Sequence, residues 1–210
     1  MTVQDIRDEY LATLTHIDNV LPKLMGNTGA GGIFNFPDVH KLTEGLFLSA
    51  WTYWEGFLEN VLWYDLATDP RGVIRKEVQA FRHANGPFRL ANRALNHPDH
   101  PEKFVEWSDY SLVANRAKEF LGQGHRFVMP LPQGADLVLL KRIRNAIAHR
   151  SDKAWESFTT MVSQPPFNLA PNQRRGITAG RFLSSHQWNG VSVMRNALAV
   201  LRNSANVLVP

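Results

Sequence analysis

GADLVLLKRIRNAIAHR, residues Gly134 to Arg150, is the stretch on which the reading of this chain turns. Wound at about 100° per residue, it gathers Leu139, Leu140, Ile143, Ala146 and Ile147 on one face, which is expected to pack on a core. Lys141, Arg142, Arg144, Asn145, Ala148 and His149 take the remaining arc. The segment therefore reads as an amphipathic helix with a basic outer surface. Asn145 and His149 stand four apart, so the amide is placed to orient the imidazole. Arg144 lies roughly 140° round the axis from His149, a gap at which two side chains flank a groove without touching.

Outward from this helix, the same periodicity recurs. Thr2 to about Met25 repeats Ile6, Tyr10, Leu14, Ile17, Leu21 and Leu24 at helical spacing, with Thr2 and Asp5 as an N-terminal cap. After the break Gly26 to Gly32, Pro37 opens a second long segment through Ala67. Its density of Leu, Phe and Trp means burial on more than one face. Weaker patterns over Asp69 to His100 suggest two short helices, and Asp109 to about Leu121 another. Trp155 to Val162 continues the motif helix after a bend, and a final helix runs from about Trp188 to Val207. Ser163 to Ser185, rich in Pro, Asn and Gly, reads as a long excursion. No long stretch alternates with period two. The expected architecture is all-α, a helical bundle with long loops and a C-terminal helix.

With 210 residues the chain can bury a sizeable core in one domain. The expected organisation is a single domain over 1–210, with its core at about 1–160 and residues 163–210 as the excursion plus the final helix. No apolar run approaches the roughly 18 residues of a membrane span, and the N-terminus lacks a basic stretch leading into an apolar one. The expectation is a soluble, cytoplasmic protein without a membrane partner. Absence of cysteine removes disulfides, thiolate metal sites and cysteine nucleophiles together. The net charge of +4 is unevenly spread: up to position 70, three basic residues (Arg7, Lys23, Lys41) face ten acidic ones, and the balance then reverses. A basic remainder suits an anionic partner such as nucleic acid, although a solvated charge mosaic is the plainer reading of charge alone.

A histidine is the usual proton-transfer group near neutral pH, and an arginine fork matches phosphate oxygens. Arg144 and His149 can equally be the basic end of a helix, favoured by its dipole. The run Leu140-Lys141-Arg142-Ile143-Arg144-Asn145-Ala146-Ile147-Ala148-His149-Arg150 resembles the signature of the HEPN superfamily. That signature has an Arg and a His separated by four to six residues, with a polar residue directly after the Arg. Here the separation is four and the polar residue is Asn145. The aromatic-rich stretch Ser49 to Asn60 resembles the long helix that precedes the motif helix in such domains. The likeness is specific over about 140–150 and looser over about 1–160.

This resemblance implies a homodimer in which Arg144, Asn145 and His149 of both chains line one cleft. It also implies metal-independent endoribonuclease chemistry with no cofactor. The ribose 2′-hydroxyl attacks the adjacent phosphate, leaving a cyclic phosphate and a free 5′-hydroxyl. His149 then serves as general acid or base, Arg144 stabilises charge on phosphorus, and Asn145 positions His149. A toxin or antiviral defence effector, with a cognate antitoxin protein as partner, is the implied setting. The competing expectation is a catalytically silent dimer that binds RNA, a nucleotide or a partner protein.

Lys141, Arg142, Arg150, Arg174 and Arg175 are candidate RNA-backbone contacts, and Arg181 accompanies the last two, although exposed arginines on a loop are ordinary. Glu55 and Glu59, four apart, are candidate auxiliary carboxylates, though pairing with basic residues or facing solvent is the plainer reading. His97-Pro98-Asp99-His100 reads as a Pro-bounded turn and not a metal site. Gly26 to Gly32 lacks the ending of a phosphate loop and reads as a connector. Trp51, Trp54 and Trp63 are expected in the core.

Overall fold

A computed structural model describes residues 2–29, 31–96, 106–128, 130–149 and 151–210. The His97 to His100 turn and Arg150 lie outside these described residues. The fold is all-α, with ten helices among the described residues: α1 (Val3–Gly26), α2 (Phe36–Thr68), α3 (Lys76–Asn85), α4 (Pro87–Leu95), α5 (Tyr110–Phe120), α6 (Gly134–His149), α7 (Asp152–Ser163), α8 (Pro171–Arg174), α9 (Ala179–Ser185) and α10 (Val193–Leu208). A two-residue antiparallel pair, β1 (Gln187–Trp188) and β2 (Val191–Ser192), precedes α10. Among the described residues no helix is long and apolar enough to cross a membrane.

The helix starts follow from local chemistry. At the head of α1, Asp5 accepts from the Thr2 amide and the Thr2 hydroxyl accepts from the Asp5 amide, a reciprocal cap. Asn35 and Asp38 repeat the arrangement at α2. Asp109 caps α5 through the amides of Ser111 and Leu112. Ser151 caps α7, so the segment expected to continue the motif helix is a separate helix with its own start.

The chain divides into two compact units, both of which draw on α1, α2 and α10. One contains residues 1–10, 54–134 and 204–210. Its core is aromatic: Tyr10 stacks on Phe57 at 5.0 Å between ring centres, and Trp54 lies 5.7 Å from Phe57. Buried Arg116 donates to the carbonyls of Arg93, Ala94 and Asn96, satisfying the open C-terminal end of α4, and also pairs with Glu119. Arg126 meets Asp65 through two bonds of 2.9 and 3.2 Å, both side chains at most 5 % exposed. Trp63 is half-buried and packs on the exposed Phe88, unlike the fully buried Trp54.

The other unit, residues 11–53 and 135–203, carries the motif helix. In α6 the buried side chains are Leu137, Leu140 and Ile143. Leu139, Ala146 and Ile147, expected in the core, are only half-buried. The buried stripe advances by three residues and leaves the last turn uncovered. The segment 163–185, read as an excursion, forms α8 and α9 and buries Ile177, Phe182 and Leu183. Phe182 meets Phe158 and Phe167 edge to face at 5.6 and 4.9 Å, and Phe167 meets Trp188 likewise. The last helix begins at Val193, after the hairpin that holds buried Trp188, and not at Trp188 itself.

Candidate functional site

The end of α6 brings together the three motif side chains. Arg144 Nη1 lies 2.8 Å from His149 Nε2 and donates to Asn145 Oδ1 at 3.2 Å. The expectation that Arg144 and His149 stand apart is therefore corrected. An angular gap describes where side chains leave the helix and not where they end. A long, flexible guanidinium can cross the gap when its partner is the last residue of the helix and free to lean over the end. Asn145 acts on Arg144 and not directly on His149, since the amide oxygen receives one hydrogen of the same nitrogen that reaches the ring.

Arginine can only donate, so in this contact His149 Nε2 is the acceptor. His149 is exposed, while Arg144 and Asn145 are half-buried. The arrangement offers one fixed cation and one imidazole nitrogen at a solvent-facing helix end. Chemically, such a pair can bind an anion and exchange a proton with it.

Beside this end opens a cleft of about 550 Å³. Ala146 and Ile147 of α6 form one wall, and Ser151, Asp152 and Trp155 follow directly in the chain. Opposite stand Lys41, Glu44, Gly45 and Leu48 of α2, with Thr178 and Ala179 at the start of α9. Glu44 is buried, accepts from the Gly180 amide at 2.9 Å through Oε1, and pairs through Oε2 with Lys41 at 2.6 Å. A Cβ on Gly180 would stand 2.2 Å from the His40 carbonyl oxygen, so glycine is what allows α9 to approach α2 this closely. Burial lowers the pKa of His40; the charge of Arg181 adds to this and Glu44 opposes it.

The other sequence candidates are dispersed. Lys141 and Arg142 are half-buried on α6. Arg174 is half-buried and Arg175 exposed, and Arg181 donates to the Arg175 carbonyl at 3.2 Å. Glu55 and Glu59 are half-buried on the part of α2 that belongs to the other unit, where burial raises the pKa of Glu59. Sequence reasoning missed Glu44, Lys41 and Trp155. The i, i+3 spacing of Lys41 and Glu44 was a usable signal, as was an aromatic one turn into the helix after the motif. Comparison with protein-family models gives no match, and no curated protein or solved structure is significantly similar to the chain.

Proposed function

We propose that the chain is a metal-independent endoribonuclease of the HEPN type, acting as a homodimer in the cytoplasm, in the role of a toxin or antiviral effector. The observation that carries this reading is the contact between Arg144 Nη1 and His149 Nε2, braced by Asn145, at an exposed helix end beside a cleft. RNA supplies its own nucleophile, so a protein needs to provide proton transfer and charge stabilisation. On binding, a phosphate draws the guanidinium onto its oxygens and releases the Nε2 lone pair. Nε2 then takes the proton of the 2′-hydroxyl as its oxygen bonds to phosphorus. The bond from phosphorus to the 5′-oxygen breaks, and that oxygen leaves with a proton from a second donor. In a dimer, one His149 per protomer divides the base and acid roles.

A second reading draws on the same contact. Because Arg144 occupies the Nε2 lone pair, a silent dimer that only binds RNA, a nucleotide or a protein partner is the alternative. Purified protein incubated with total RNA in EDTA separates the two. Cleavage that disappears in both His149→Ala and Arg144→Ala supports the nuclease. RNA retention without cleavage by the unsubstituted protein supports the silent dimer.

A further inference from the structure

The cleft between α2, α6, α7 and α9 holds three features that the proposed chemistry at His149 does not use. Trp155 is 41 % exposed on its wall, and its ring is backed by Phe158 at 5.1 Å, which fixes the indole while leaving part of it open to the cleft. Glu44 places a buried carboxylate there whose orientation is set from two sides, by the Gly180 amide and by Lys41. Each carboxylate oxygen accepts two hydrogen bonds, so each retains one acceptor position after these contacts. Lys41 keeps 70 % of its side chain exposed beside the carboxylate and can donate to a second group.

A flat surface for stacking, a carboxylate with two oxygens and an adjacent ammonium together match a nucleobase. Guanine alone among the RNA bases presents two N–H donors side by side, N1–H and N2–H, next to the acceptor O6. A cleft of about 550 Å³ has the size of small-ligand sites. Ile147 and Ser151, both lining it, stand two residues either side of His149 in the chain. A base seated in the cleft would lie against residues that adjoin Arg144 and His149 in the chain.

We infer that this cleft is a guanine-preferring base subsite, with Trp155 as the stacking surface and Glu44 with Lys41 reading the Watson–Crick edge. The inference rests on the ribonuclease reading for its place in the reaction, but base binding is measurable without cleavage. The test is calorimetric titration of the full-length His149→Ala protein with GMP, AMP, CMP and UMP. GMP is expected to bind about tenfold more tightly than UMP, and Trp155→Ala to weaken all four by about tenfold, as loss of one stacked base implies. Glu44→Gln keeps an oxygen for the Gly180 amide but loses one acceptor, so GMP falls to the affinity of UMP while UMP is unchanged. Lys41→Met, which alters an exposed side chain, tests the same edge should Glu44→Gln not fold. Equal binding of GMP and UMP, or unchanged GMP affinity in Trp155→Ala and in the folded edge variant, overturns the subsite. Cleavage of RNA without any guanine preference overturns the subsite alone. Guanine binding by a protein that never cuts RNA overturns the ribonuclease reading and leaves the subsite standing.

Discussion

Arg144 reaches His149 across five residues of helix, Nη1 to Nε2 at 2.8 Å, and the same nitrogen is held by Asn145. The guanidinium is thus positioned by one side chain and in contact with another. Lysine carries the charge but not the planar fork that addresses an amide, a ring nitrogen and a phosphate together. Arg144→Lys is expected to lower RNA cleavage by about 100-fold, the cost of losing one oriented donor at a developing charge. Thermal stability should change little, because Arg144 is only half-buried and lysine keeps both the charge and the aliphatic stem. Single-turnover rates alongside a melting curve check both parts.

Asp65 and Arg126 form an ion pair with both groups nearly withdrawn from water. Burial raises the pKa of Asp65, and the hydrogen bonds and charge of Arg126 work against this. Removing one partner leaves the other buried and uncompensated. Asp65→Ala is predicted to cost about 3–5 kcal/mol in urea unfolding. The double variant Asp65→Leu with Arg126→Met should recover much of that loss, since an apolar pair has no charge to strand.

His125 is buried, accepts from the Phe127 amide at 3.1 Å through Nδ1, and has its pKa pushed down to about 4 by burial, with Lys118 adding to the shift. The unfolded chain binds this proton at ordinary histidine values and the folded chain does not. Stability is therefore full above about pH 6.5 and falls as pH drops towards 4. In His125→Asn, whose side-chain oxygen can replace Nδ1 as acceptor, unfolding free energy should lose that part of its pH dependence. An unchanged slope between pH 6.5 and 4 would show that the ring is not kept neutral.

Gly180→Ala places a methyl group 2.2 Å from the His40 carbonyl and 3.0 Å from Glu44 Oε1. Because the nearest obstacle is backbone, α9 has to move away from α2. The expected loss is about 1–3 kcal/mol, at the upper end of that range, with the Glu44 bond to the Gly180 amide broken. A denaturant titration measures it.

Much of the helical framework was legible from local pattern. The Thr2 and Asp5 cap and the apolar repeat of α1 act within a few residues, and local pattern reports them directly. What escaped depends on distant partners or on side-chain reach. The stretch 163–185 has loop composition, yet Phe182 folds it into the core against Phe158 and Phe167, an effect of packing that overrides local preference. Glu44 and Gly180 are separated by 136 residues, so no window of sequence contains their bond. For Arg144 and His149 the sequence supplied the residues and their spacing, but the angle between their Cα positions concealed how far a guanidinium travels.

The most direct measurement is the chemistry of the ends made from RNA in EDTA. The account predicts 2′,3′-cyclic phosphate and 5′-hydroxyl termini from the unsubstituted protein and none above background from His149→Ala. Cleavage that persists in His149→Ala, or 3′-hydroxyl and 5′-phosphate termini, would contradict it.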